Sequence, residues 1–168
     1  MFEYRTHNCG ELREEDIGKT VKLAGWAQTV RNLGGLVFID IRDQYGITQA
    51  ITSGEGELME MASHIPVEST ISIEGKVRKR SDINENLPTG RIEIEIEKIE
   101  ILGKRLKNLP FEINTDMEVR EDLRLQYRFL DLRNEKLKNN ILLRAKVIQF
   151  IREQMIKRGF TEVQTPIL

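Results

Sequence analysis

Residues 20–52 read TVKLAGWAQTVRNLGGLVFIDIRDQYGITQAIT, and their alternation decides the fold. Val21 and Leu23 alternate with Lys22 and Ala24, and Val37, Ile39 and Ile41 alternate with Phe38, Asp40 and Arg42. That period of two is the mark of a half-buried strand. Asn32, Leu33, Gly34 and Gly35 make a turn cluster after Thr20–Val30, and Gln44, Tyr45 and Gly46 separate Leu36–Arg42 from Ile47–Thr52. The stretch predicts a three-strand meander. Gly25 lies where the first run changes parity, so a β-bulge is expected there.

On the C-terminal side of the meander, Glu57–Ile65 (ELMEMASHI) carries Leu58, Met61, Ala62 and Ile65 at helical spacing. Glu68–Arg80 (ESTISIEGKVRKR) then puts Ile71, Ile73, Gly75 and Val77 on one face of a strand. Arg91–Leu102 (RIEIEIEKIEIL) alternates through Ile92, Ile94 and Ile96, slips at Glu97 and Lys98, and resumes at Ile99 and Ile101. The slip predicts a second bulge. The order β-β-β-α-β-β fits a mainly-β domain, a five-stranded OB-fold barrel with one inserted helix, a Greek-key barrel that commonly binds oligonucleotides. Another small barrel is the alternative.

After Gly103 the pattern changes. Residues 103–134 read as a charged connector with a short helix near Asp116–Leu125, and Asn140–Arg158 as a strong helix whose apolar stripe runs through Ile141, Ala145, Ile148, Ile151 and Met155. Leu143, Val147 and Phe150 widen the stripe, which implies burial on more than one side. Gly159 suits a left-handed helix cap, and Phe160–Thr165 is expected to be an extended strand that Pro166 ends.

Composition sets the class. With 39% hydrophobic and 32% charged residues over 168 positions, the chain is globular rather than disordered. One cysteine, Cys9, and two histidines provide no internal disulfide and no zinc spacing, so a reducing, cytoplasmic setting is expected. The amino terminus lacks a signal-peptide pattern, and no apolar run is long enough to span a membrane. Charge is divided unevenly. Residues 1–102 hold 12 Lys+Arg against 18 Asp+Glu, whereas residues 103–158 hold 14 against 8. A domain gripping nucleic acid through phosphates alone would be basic, and the first half is not.

What the first half does offer is an aromatic on a polar face. If Val37, Ile39 and Ile41 point into the barrel, Phe38 points out beside Asp40 and Arg42, as a stacking platform for an unpaired base. The alternative is that Phe38 closes a barrel end. Lys76, Arg78, Lys79 and Arg80 form the basic cluster of this half, suited either to phosphate or to a solvated strand end. Glu93, Glu95 and Glu97 share a face of the last strand, where a carboxylate accepts from a base edge and repels phosphate.

Several segments together carry a family likeness: RTHNCGEL (5–12), Gly25 with Trp26, GGLVFIDIRDQYGITQ (34–49), LPTGRIE (87–93), YRFLDLR (127–133) and KRGFTEVQTPIL (157–168). They resemble the N-terminal part of the bacterial-type aspartyl-tRNA synthetases, class II aminoacyl-tRNA synthetases. YRFLDLR and the closing segment are shared with the lysyl and asparaginyl enzymes. The resemblance implies an anticodon-binding OB-fold over residues 1–103, a hinge over 104–136, and over 137–168 a helix-strand start of the class II α+β catalytic domain. It implies that Phe38 stacks on an anticodon base, that Arg31, Gln49, Arg78 and Glu93 contact anticodon bases or their surroundings, and that the partner is the tRNA(Asp) anticodon stem-loop. Gly159, Phe160, Val163 and Pro166 match motif 1, which builds the family's homodimer interface. The ATP, Mg2+ and aspartate sites of the family have no counterpart here, so the chain is expected to hold no catalytic residue, no cofactor and no metal of its own. Gln28, Thr29 and Val30 depart from the arginines the family usually carries before Arg31. A non-enzymatic OB-fold protein that binds single strands, and the same region of a lysyl or asparaginyl enzyme, are the other readings.

Overall fold

The computed structural model describes residues 3–114 and 119–166. Strands β1 (Thr20–Asn32), β2 (Leu36–Arg42), β3 (Ile47–Ser53), β4 (Thr70–Lys79) and β5 (Ile92–Gly103) close into a barrel in the order β1-β2-β3-β5-β4, with β4 pairing back onto β1. Only β3 and β5 run parallel; the intervening helix α1 (Glu57–Ser63) supplies part of the crossover that a parallel pair needs. This is the OB-fold that the alternation predicts. Val37, Ile39, Ile41, Ile71, Ile73 and Ile94 are fully buried inside it.

Backbone crowding explains the glycines. A Cβ on Gly25 would stand 2.3 Å from the Arg42 carbonyl oxygen, and one on Gly75 would stand 2.1 Å from that of Glu95. Gly25 therefore serves close strand approach. The expected bulge lies further on, at Gln28, where the register steps from Ala27↔Ile41 to Thr29↔Asp40. The second bulge is at Glu97: Glu74 faces Lys98 and Gly75 faces Ile96. In α1, Leu58 and Met59 pack against the core with Ala62, whereas Met61 is exposed, because the short helix turns its 58/59/62 edge inward. Ile65 reaches the core from the turn beyond the helix.

Arg42 departs from its outward expectation. It leaves the barrel wall but is buried against the turn before β4, donating from Nη2 to Glu68 Oε1 at 2.7 Å with its guanidinium 5.8 Å from the Trp26 ring centroid. Cys9 is a packed residue, fully buried, with its amide donating to Asp43 Oδ2 at 3.0 Å. Burial, reinforced by Asp43, pushes its thiol well above the ordinary range.

The chain divides into two compact units, Met1–Asn108 and Leu109–Leu168. In the second, α2 (Glu121–Gln126) and α3 (Arg128–Asp131) precede α4 (Glu135–Lys157). Asp116, Met117 and Glu118 of the expected Asp116–Leu125 helix lie outside the described residues. Helix α4 begins five residues before the expected Asn140, because Asn134 caps it by accepting from the Leu137 amide and a polar first turn precedes the apolar stripe. Asp131, buried within YRFLDLR, accepts from Arg124 Nε and Arg128 Nη1, both at 2.8 Å. Gly159, at φ +86°, ends α4 as expected, with its amide on Ile156 and that of Phe160 on Met155. No β-strand forms over Phe160–Thr165 among the described residues. A strand needs a partner to satisfy its backbone groups, and none is paired with this segment.

Candidate nucleic-acid interface

The pairing register assembles one outer face from all five strands. Alternation puts Val37, Ile39 and Ile41 inside, so Phe38 and Asp40 face out. Across the first row Arg31 pairs with Phe38, Phe38 with Ile51, Ile51 with Glu95, and Glu95 with Lys76. In the second, Thr29 pairs with Asp40, Asp40 with Gln49, and Glu93 with Arg78, while the Gln49 side chain joins Glu93 by a 2.8 Å hydrogen bond. Arg31, Phe38, Gln49, Arg78 and Glu93, which lie up to 62 positions apart in the chain, thus stand in two adjacent rows.

Phe38 is half-buried on the outside of the barrel, with the Arg31 guanidinium 5.9 Å from its ring centroid. It does not close a barrel end. Around it runs a continuous polar chain: Thr29 Oγ1 donates to Asp40, Arg31 Nη2 donates to Asp40 Oδ2 at 3.1 Å and to Gln49 Oε1 at 3.4 Å, and Gln49 Nε2 donates to Glu93 Oε2. Arg78 closes it, with Nε and Nη2 both 2.9 Å from Glu93 Oε1. Glu93 is 2% exposed, so it is an internal anchor of this network rather than the surface carboxylate that simple alternation suggests. Of the acidic trio, Glu95 shares its face and receives Arg78 Nη1 at 3.5 Å, whereas Glu97 falls in the bulge. Of the basic cluster, Arg78 is therefore committed to carboxylates.

Sequence reasoning put Asp40 on this face, as the next outward position after Phe38 on an alternating strand, but gave it no role, and it missed Thr29, because the bulge at Gln28 resets its facing. Gly159, Phe160, Val163 and Pro166 belong to the second unit, where Phe160 and Val163 are 59% and 73% exposed. Ile167 and Leu168 of that segment lie outside the described residues. Helix α4 likewise presents Leu143, Val147 and Phe150 to solvent, so the burial expected for its stripe is not found among the described residues. A cavity of about 720 Å³ in the second unit, lined by Arg120, Arg124, Asp131, Asn134, Lys136 and Leu137 among others, takes in none of the five barrel residues. Among the described residues no cluster of three or more His, Cys, Asp or Glu is arranged to hold a metal, and no helix is long and apolar enough to cross a membrane.

The fold agrees with that of relatives. A family of OB-fold nucleic acid binding domains matches residues 21–102, and the class II tRNA synthetases (D, K and N) match residues 120–168. The aspartate–tRNA(Asp/Asn) ligase of Rickettsia canadensis is 54% identical over the whole chain, and the aspartate–tRNA ligase of Streptomyces coelicolor 49%. The chain spans 28% and 29% of the length of these two proteins. The asparaginyl-tRNA synthetase of Pyrococcus horikoshii, solved with asparaginyl-adenylate, superposes with a TM-score of 0.83 at 33% identity, over 99% of this chain and 37% of that one. With identity near one half over the whole of this chain and both parts matched in order, the chain belongs to the aspartyl-tRNA synthetase family of class II tRNA synthetases, as an OB-fold nucleic acid binding domain joined to a segment of the class II domain.

Proposed function

We propose that this barrel reads the anticodon of tRNA(Asp) as the N-terminal portion of an aspartate–tRNA ligase. The complete protein would activate aspartate with ATP and Mg2+ in the cytoplasm and transfer it to the tRNA. The observation that carries the reading is the outer face itself: one aromatic ring, flanked by Arg31 and backed by a polar network through Gln49, Glu93 and Arg78, on a domain whose charge balance is acidic. Such a face suits unpaired bases, which stack on aromatics and are read at their edges, better than it suits a bare phosphate backbone. Phe38 takes the stack; Arg31, Gln49 and Arg78 offer donors and acceptors to base edges, and Glu93 fixes the last two.

Residues 1–103 then serve as the anticodon-binding domain, residues 104–136 as the hinge, and residues 137–168 as the start of the catalytic domain. Gly159, Phe160, Val163 and Pro166 contribute to a homodimer interface, which fits the apolar surface that α4 leaves uncovered. Among the described residues no cluster of three or more His, Cys, Asp or Glu is arranged to hold Mg2+, and no chemical step is assigned to this chain.

Binding of the aspartate anticodon stem-loop, compared with the same stem-loop changed at the middle base, tests the reading. The chain is expected to prefer the former, and Phe38→Ala to weaken that complex by about 1–3 kcal/mol, roughly 5- to 150-fold in Kd. Equal affinity for the two loops would overturn base reading, and an unshifted titration for Phe38→Ala would remove the ring from the site.

A further inference from the structure

Asp40 sits at the centre of the face with no role yet given to it. Its carboxylate accepts from Thr29 Oγ1, and both of its oxygens accept from Arg31 Nη2, at 3.1 and 3.3 Å. The Arg31 side chain is half exposed, whereas that of Asp40 is only 19% exposed. Asp40 is thus the anchored member of the pair, braced by β1 on one side, and Arg31 the member available to solvent. The tie engages Nη2 and leaves the guanidinium carbon over the Phe38 ring, 5.9 Å from its centroid.

We propose that Asp40 is a specificity-determining residue. Braced by Thr29, it holds the Arg31 guanidinium beside the Phe38 ring and cancels its charge, reserving this arginine for the nucleobase on the ring and withholding it from phosphate. This rests on the anticodon reading above. An arginine freed from its carboxylate is the stronger phosphate ligand, and phosphate contacts add affinity without sequence information. Arg78 is treated the same way by Glu93 and Glu95, so neither arginine of the two rows is left as an uncompensated charge.

The test is a salt titration of the 168-residue chain with the two anticodon stem-loops. One phosphate contact on a single strand contributes about 0.7 to the slope of log K against log salt, so its gain costs about 2.6-fold in affinity between about 50 and 200 mM KCl. Asp40→Asn is expected to steepen the slope by about that amount, to bind the changed loop more tightly than wild type at low salt, and to narrow the preference between loops. Asp40→Glu, which keeps the carboxylate, retains the wild-type slope. Arg31→Gln in the otherwise unaltered chain weakens binding of the aspartate loop yet leaves the slope where it was, and Asp40→Asn added to it no longer steepens anything. An unchanged slope in Asp40→Asn, or a slope shallower by about 0.7 in Arg31→Gln alone, overturns the proposal, since Arg31 would then be indifferent to Asp40 or an ordinary phosphate ligand. If Asp40→Asn does not fold, the Arg31→Gln slope decides alone. A wild-type chain indifferent to the middle base removes the anticodon reading instead, and the slope comparison still reports on Asp40.

Discussion

Glu68→Ala should cost the barrel about 3 kcal/mol. Glu68 lies in the turn Pro66–Ser69, closed by the Ser69 amide on the Pro66 carbonyl at 3.0 Å, and it has φ +65°, a region that favours glycine. What holds a glutamate there is Arg42: the two side chains are 4% and 8% exposed and meet at 2.7 Å. Removing one partner of a buried pair leaves an uncompensated charge and costs roughly 3–5 kcal/mol. The lower end applies because Arg42 keeps Gln28 Oε1 at 3.4 Å and the face of Trp26. For a domain of this size that is a fall of about 12–24 °C in Tm. Trp26, the sole tryptophan of the chain, stands beside the guanidinium, so urea unfolding followed by its fluorescence reads the barrel directly. Glu68→Gly provides an internal control: it loses the same ion pair but relaxes the backbone, and should be about 1 kcal/mol more stable than Glu68→Ala. A cost below about 1 kcal/mol for Glu68→Ala would refute the view that this pair anchors the turn, and a glycine variant no better than alanine would refute the backbone part.

Gly75→Ala drives a Cβ to 2.1 Å from the Glu95 carbonyl oxygen, a backbone atom that cannot swing away, so a loss of about 3 kcal/mol is expected in the same urea assay; a wild-type midpoint would show that β4 and β5 can part at no cost. Cys9, its thiol pKa raised by burial, should resist Ellman's reagent until the barrel unfolds. Because the folded state holds that proton after the unfolded chain has released it, stability is intact below roughly pH 8.5 and falls above it by up to about 1.4 kcal/mol per pH unit. The same alkaline slope in Cys9→Ala would assign the loss to other groups.

The barrel was legible because alternation is a local signal. Val37, Ile39 and Ile41 announce their facing within seven residues, and the slip at Glu97 announces a bulge. Register is a property of pairs of strands, and here the reading was weaker. Gly25 looked like a bulge because a parity change and a glycine coincided, yet the extra residue is Gln28 and the glycine answers to the Arg42 carbonyl across the strand pair. Glu93 looked like surface because it alternates with isoleucines, but β3 is covered on both faces, with Gln49 and Ile51 each 4% exposed. Its neighbour on β5 is consequently drawn into a buried network. Arg31 and Gln49 came from family resemblance alone; Arg78 and Glu93 also stood out in a basic run and on an acidic strand face, and Phe38 by its outward facing. The stripe of α4 was legible as a face to be buried, but no surface covers it among the described residues, and the same want of a partner leaves Phe160–Thr165 without a ladder.

The two arginines of the face differ in a way that bears on how an acidic barrel handles RNA. Arg78 is bound to Glu93, which is buried and also holds Gln49; pulling Arg78 onto a phosphate would strand a carboxylate that water barely reaches, at a cost no single surface phosphate contact repays. Arg31 is bound to Asp40, which retains some solvent and the Thr29 hydroxyl, so the guanidinium has room to adjust to a base while its tie to the carboxylate is kept. The second row is therefore a rigid floor and the Arg31 corner its movable edge. On the proposed reading, a nucleotide stacked on Phe38 would meet fixed groups through Gln49 and an adjustable cation at Arg31. Affinity would then come from the stack and from base edges rather than from net charge, which is what a domain with more carboxylates than cations needs in order to bind a polyanion.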